Sequence, residues 1–299
     1  MDINKSLNLF CGDTIKYLRE IPSKSIDLII SSPPYNIGKE YEKKVALSNY
    51  IKSMTTVICY LSIILKDGGS ICWQVGNYIH NKEVFPLDIY YYPIFKEFGF
   101  KLRNRIIWRF ELGLNCTYRL SGRYETILWF TKGDNYCFNL DLIRVPQKYP
   151  GKRAFKGANK GKPTCNPKGK NPSDMWEVLI KDFDTLVWYI PNVGHCHAEK
   201  TIHPAQFPIE LVERCVLAFS NEGDLILDPY SGVGSTLIGA IKHNRRAIGI
   251  EKEKKYIDIT NKRIEEFHNG TLKMRPMDRS VYIPNGKTKV AQRPEEWGD

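Results

Sequence analysis

Over the first 130 positions the apolar residues alternate between two rhythms. Short runs rich in β-branched side chains read as buried strands, and stretches with apolar residues three and four apart read as amphipathic helices. LNLF at 7–10 is a strand, followed by the helix TIKYLREI at 14–21. IDLIIS at 26–31 is a buried strand that stops at a double proline. Residues 49–65 carry apolar side chains at helical spacing up to the Asp67-Gly68-Gly69 breaker, and SICWQVG at 70–76 is the next strand. A helix is expected over 84–98, entered at Pro86 and kinked or shortened by Pro93. RIIWRF at 105–110 and ETILWF at 125–130 complete the set as an antiparallel pair at one edge. Trp73, Trp108 and Trp129 fall inside these strands and are assigned to the core.

The rhythm breaks near 132 and returns at 203. A helix starts at Pro208, followed by the strand LILD at 225–228, a glycine turn and the helix STLIGAIKH at 235–243. The strand AIGI at 247–250 and the helix KKYIDITNKRIEEF at 254–267 close the pattern. Strands alternating with helices in this way predict an α/β fold: a doubly wound, mostly parallel sheet covered by helices on both faces. Residues 1–131 and 200–268 form its two parts, 132–199 is an insertion, and 269–299 is a loosely packed tail without sustained period.

Composition alters this picture in one respect. The 299 residues hold 44 Lys+Arg against 33 Asp+Glu, a formal charge of +11 that favours polyanions, nucleic acid foremost. Between Asp141 and Asp174 no acidic residue occurs, whereas Lys148, Lys152, Arg153, Lys156, Lys160 and Lys162 all fall there, punctuated by Pro, Gly and Asn. This segment is the candidate for binding DNA phosphates, against the reading of a solvated basic loop. Arg119, Arg123 and Tyr124 stand before a strand and suit either DNA contact or support of the fold. No apolar run is long enough to span a bilayer and the first residues lack a secretion-signal layout, so a cytoplasmic protein is expected. The 8 cysteines form no CxxC pair and read as reduced thiols. His195-Cys196-His197 is too tightly spaced for usual zinc ligation, and no metal site is assigned.

Two loops carry chemistry. Asp228-Pro-Tyr230-Ser-Gly232-Val-Gly234-Ser235-Thr236 joins a strand to a helix, with glycines that let backbone approach a ligand. No lysine follows Gly234, which excludes the phosphate-cradling loop, and position 237 is leucine where a dinucleotide turn has its third glycine. A carboxylate at 228 repels a pyrophosphate and attracts an ammonium, which S-adenosylmethionine offers without a phosphate. Glu251 ends the next strand, where an acid accepts from ribose hydroxyls. An ordinary loop with Ser235 as helix N-cap is the bland alternative, and a nicotinamide oxidoreductase a rival one. The second loop, Ser32-Pro33-Pro34-Tyr35, is stiffened by its prolines, whose carbonyls are free to accept. A hydroxyl beside such a carbonyl can hold both hydrogens of an exocyclic amine while the tyrosine stacks on the base.

These residues resemble the β-class S-adenosylmethionine-dependent DNA amino-methyltransferases. The family's (D/N/S)-P-P-(Y/F) loop matches Ser32-Pro33-Pro34-Tyr35, and its cofactor loop matches Asp228 to Thr236. Cys11-Gly12-Asp13 is similar to an element near the cofactor adenine, and His203-Pro204-Ala-Gln-Phe-Pro208 to one lining its methionine end. The likeness covers roughly 7–131 and 200–267 and implies a Rossmann-like fold in circularly permuted order, with 132–199 as the target-recognition insertion. It implies that Ser32, Pro33, Pro34 and Tyr35 act on a flipped base in double-stranded DNA. Asp13, Asp228, Tyr230, Gly232, Gly234, Ser235, Thr236 and Glu251 would hold S-adenosylmethionine. The serine form of the loop usually marks cytosine N4 and the aspartate form adenine N6, so cytosine is expected, with adenine as the alternative. A restriction–modification setting is implied, with a cognate endonuclease sharing the site and a monomeric or dimeric enzyme. A non-catalytic DNA-binding protein of the same fold is the reading from another class.

Overall fold

The computed structural model describes residues 5–110, 113, 115–146, 151–176, 190–194 and 197–277. Its elements begin with β1 (Leu7–Cys11), α1 (Thr14–Leu18), β2 (Ile26–Ser31), α2 (Leu47–Ile64) and β3 (Leu65–Val75). Next come β4 (Asn77–His80), β5 (Glu83–Pro86), α3 (Leu87–Glu97), β6 (Lys101–Arg109) and β7 (Tyr124–Thr131). Between β7 and the last part of the chain lie α4 (Leu140–Ile143) and β8 (Met175–Trp176). The chain closes with α5 (Ile209–Phe219), β9 (Leu225–Asp228), α6 (Ser235–Lys242), β10 (Arg246–Glu251) and α7 (Lys254–His268).

Among the described residues, eight strands form one sheet in the order β1-β10-β9-β2-β3-β7-β6-β8. The first five run parallel, while β7 is antiparallel to β3 and β6. The late strands β9 and β10 thus insert between β1 and β2, so neither part of the chain completes the sheet alone. Apolar side chains cover both faces: Ile29 belongs to the core under α1, α2 and α3, and its neighbours Leu28 and Ile30 to the core under α5 and α6. That is the doubly wound α/β architecture expected. Trp73, Trp108 and Trp129 are buried within it.

Several boundaries differ from expectation. α1 stops at Leu18, and α3 carries Pro93 through to Glu97 without being cut short. The helix before the Asp67-Gly68-Gly69 breaker ends at Ile64, because β3 starts at Leu65 and absorbs the breaker as a bulge: Ile26 pairs with Leu65 but Leu28 with Ser70. The hairpin β4–β5 was not anticipated; both turn residues, Asn81 and Lys82, have positive φ with no glycine to announce it. Part of 132–199 packs on the sheet, where β8 pairs with β6 and Trp176 is buried. The tail is tied down at Arg275, which is buried and ion-paired with Glu210, so its start is packed rather than loose. No described helix is long and apolar enough to cross a membrane.

Candidate active site

β2 and β9 lie side by side and parallel, Leu28 opposite Ile226 and Ile29 opposite Leu227. Their loops therefore leave the same sheet edge as neighbours, at a point where the chain order switches, which is where open α/β sheets bind ligands. A cavity of about 250 Å³ opens there. Ser32, Pro33, Pro34 and Tyr35 line it from the loop after β2, and Tyr230, Gly232 and Ser235 from the turn after β9. Asp13 and Glu251 line it from beyond β1 and from the end of β10. The two sequence-distant loops thus share one chamber.

Asp228, Gly234 and Thr236 stand behind its wall. Asp228 is fully buried, and its carboxylate accepts from Ser31 Oγ (2.7 Å), Thr236 Oγ1 (2.6 Å) and the Tyr230 amide (3.0 Å). It does not face a ligand's ammonium as the sequence suggested; it ties β2, the turn and α6 together. Burial pushes its carboxyl up to about 6, against the hydrogen bonds from Thr236, Ser31 and Tyr230 that pull it down. Gly234 shapes the turn: φ is 78°, and a Cβ would stand 2.5 Å from Thr260 Cγ2. Gly234 is also the N-cap residue of α6, displacing Ser235 from the role given to it by the bland reading.

The lining fits a cationic, phosphate-free cofactor. Glu251 accepts from the Gly232 amide at 2.9 Å and the Glu253 amide at 2.8 Å, and burial raises its pKa. Asp13 caps α1 by accepting from the Lys16 amide at 3.1 Å. Ser231 and Ser235, both in the lining, hold buried hydroxyls with no partner among the described residues. Donors and acceptors left open at a cavity wall are what a bound polar ligand satisfies.

A strap covering the cavity escaped sequence reading. In the loop after β2, Asn36 exchanges two 2.8 Å bonds with the backbone of Val45, and Glu42 accepts from the amides of Asn36 and Ile37. This places Tyr41 over His203, with ring centroids 5.4 Å apart and planes at 10°. Glu40 accepts from the Tyr256 hydroxyl at 2.6 Å and pairs with Lys255 at 2.9 Å. Tyr41, His203 and Tyr256 all line the cavity. Burial and nearby Lys200 hold the His203 imidazole down at about 4, so it is neutral near pH 7.

Lys152, Arg153, Lys156, Lys160 and Lys162 lie on an exposed arm, and none lines the cavity. Arg153 donates to the Gly161 carbonyl at 2.7 Å, so its guanidinium closes the arm on itself. Arg123 donates to Asn115 Oδ1 at 2.6 Å, and Arg119 donates to the Leu120 carbonyl at 3.2 Å. Lys148, His195 and Cys196 lie outside the described residues.

Comparison with known proteins agrees with this geometry. The family described as DNA methylase matches residues 26–262. The chain is 45% identical over 258 residues to Type II methyltransferase M.BglII of Bacillus subtilis, covering 86% of this chain and 68% of that one. It is 32% identical over 267 residues to DNA adenine methyltransferase YhdJ of Escherichia coli strain K12, covering 88% and 84%. A DNA modification methylase from Thermus thermophilus, solved in complex with S-adenosyl-L-methionine, matches with a TM-score of 0.60 at 25% identity over 88% of this chain and 95% of that one. Matched across most of its length both by that family and by a relative of 45% identity, this protein belongs to the DNA methylases.

Proposed function

We propose that the enzyme methylates the exocyclic N4 amine of a flipped cytosine in double-stranded DNA, as the protective half of a restriction–modification pair. The observation that carries this reading is the shared cavity, in which the Ser32 loop faces the turn at Tyr230–Ser235. S-adenosylmethionine, when bound, supplies an electrophilic methyl with its own leaving group. Asp13, Glu251 and the hydroxyls of Ser231 and Ser235 would hold it.

The chain's own work is positioning. An exocyclic amine is a poor nucleophile because its lone pair is delocalised into the ring. Hydrogen bonds from its two hydrogens to Ser32 Oγ and the Pro33 carbonyl draw nitrogen toward tetrahedral geometry and free that lone pair. The Pro34 carbonyl already accepts from the Tyr50 hydroxyl at 2.7 Å, which fixes the loop and leaves the Pro33 carbonyl to the substrate. Tyr35 supplies a ring for stacking once the base has left the duplex. The lysines of the arm contact phosphates in the target-recognition insertion, 132–199.

Cytosine is favoured by the serine at position 32. The adenine N6 reading has its own support in the 32% identity to a relative named as an adenine methyltransferase. Expression in a host free of DNA methylation, followed by base-resolved sequencing of its genome, decides between them. N4-methylcytosine at one short site is the expected result. N6-methyladenine would select the alternative, and an unmodified genome would leave only a DNA-binding protein.

A further inference from the structure

A chain of polar side chains lies behind the catalytic loop, and the reaction as described leaves part of it unused. The Tyr35 hydroxyl stands 3.0 Å from Ser32 Oγ and 3.5 Å from Glu125 Oε2. Glu125 stands near the start of β7, opposite Trp108 of β6. Gln74 of β3 donates through Nε2 to the same Oε2. Gly76 makes room for the assembly: a Cβ there would stand 3.0 Å from Tyr35 Cε2 and 3.2 Å from Glu125 Oε1.

Such a chain has a direction. Tyr35 and Ser32 each own one hydroxyl proton, and an ionised carboxylate can only accept. With Glu125 ionised, Tyr35 donates to it, Ser32 donates to Tyr35, and Ser32 Oγ keeps both lone pairs for the cavity side. With Glu125 protonated, the acid donates to Tyr35, Tyr35 donates to Ser32, and the serine proton is turned outward. The first arrangement leaves both lone pairs of Ser32 Oγ open and aims no proton at the amine, whereas the second leaves one lone pair and points a proton at the amine.

We propose that Glu125 is a positioning residue that sets the direction of this hydroxyl chain, so that Ser32 offers the target amine a lone pair and not a hydrogen. The inference rests on the amine-methylation reading of the site. The groups facing Glu125 are Tyr35 and Tyr41 from the loop after β2, Gln74 from β3 and Trp108 from β6, with Arg109 one place along, opposite Tyr124. Burial pushes the Glu125 carboxyl up to about 7, against the hydrogen bonds from Tyr35 and Gln74 that lower it. Burial also raises the Tyr35 hydroxyl, which stays protonated. The direction of the chain therefore reverses within the working pH range, with the productive form above about 7.

The test is single-turnover methyl transfer from radiolabelled S-adenosylmethionine, at saturation, to unmethylated genomic DNA between about pH 6 and about pH 9, a range that brackets the Glu125 carboxyl. The wild-type rate should rise through about pH 7. Glu125→Gln, whose amide oxygen accepts from Tyr35 at every pH, should hold the productive direction throughout: flat across the range near the wild-type plateau, and so about tenfold faster than the wild type at about pH 6. Glu125→Asp should keep the rise at a displaced pH. Cofactor affinity and thermal midpoint should be unchanged in both. A Glu125→Gln enzyme that keeps the wild-type rise, or that is slow at every pH, overturns the inference while amine methylation stands. A wild-type enzyme that transfers no methyl group to DNA overturns the underlying reading itself.

Discussion

Ser31 Oγ donates to Asp228 Oδ1 at 2.7 Å across 197 residues of chain, and neither side chain meets solvent. This bond joins the strand that carries the Ser32-Pro33-Pro34-Tyr35 loop to the strand that carries the glycine turn. Thr236 completes the join from α6, so three elements converge on one carboxylate. The residue that seemed made to hold a ligand instead fixes the distance between the two loops.

A buried carboxyl of this kind leaves a signature in stability against pH. Its pKa rises from 3.8 to about 6 on folding, so it binds a proton more tightly folded than unfolded. Its stabilising share is complete below about pH 4 and is lost as pH rises through about 6. Compared with Asp228→Asn, the wild type should lose about 3 kcal/mol of unfolding free energy over that interval. Denaturant titrations of both proteins at several pH values measure it, and a difference independent of pH would refute the assignment.

The strap predicts an effect on cofactor exchange. Glu40 is linked to Tyr256 and Lys255 on α7, and its carboxyl is held below the ordinary range first by the Tyr256 hydroxyl and then by Lys255. Glu40→Gln should speed S-adenosylmethionine release by about threefold in low salt, with less difference in high salt, as for other exposed pairs. Tyr41→Ala, which removes the stack on His203, should act in the same direction without the salt dependence. Stopped-flow displacement reads both, and release unchanged in both variants would show that the strap does not gate the cavity.

The parts of this architecture visible in sequence are those whose signal is periodic or chemical. IDLIIS and LILD read as buried strands because parallel strands covered on both faces need continuous apolar runs, and their loops carry recognisable residue types. What sequence does not carry is direction. Asp228 and Glu251 are both carboxylates at strand ends, yet one turns into the protein and the other toward the cavity. Glu40 and Tyr41 lie in a polar run without period, and Glu125 looks like an exposed strand residue until Tyr35 and Gln74 are placed beside it. Each acquires its role through contacts with residues far away in the chain.

The basic arm should change the salt dependence of DNA binding and little else. Lys152, Lys156, Lys160 and Lys162 are exposed and stand outside the cavity lining. Each lysine that meets a phosphate contributes about 0.9 to the slope of log affinity against log salt. Replacing all four with alanine should flatten that slope by up to about 4, leaving cofactor affinity unaltered and stability within about 0.5 kcal/mol. Arg153 is kept in this variant because it closes the arm on Gly161. Fluorescence anisotropy with duplex DNA across a salt series is the measurement, and equal slopes would place the DNA elsewhere.

The anchor at Arg275 makes the last prediction one of stability. Its guanidinium donates to Glu210, in the first turn of α5, and its amide donates to Glu199 Oε1 at 3.2 Å. Glu199 in turn accepts from the Ile209 amide at 2.9 Å, so a residue beyond the last helix joins two buried acids at the start of α5. Arg275→Ala would remove this ion pair from Glu210, which also stands 3.7 Å from Arg214. Removing one partner of a buried ion pair takes support from the other charge, and a loss of up to about 3 kcal/mol is expected. Arg275→Lys should recover part of it, because the charge returns without the second donor. Urea unfolding of the three proteins tests this, and a loss below about 0.5 kcal/mol in the alanine variant would mean that the Arg275 side chain does not anchor the chain beyond α7.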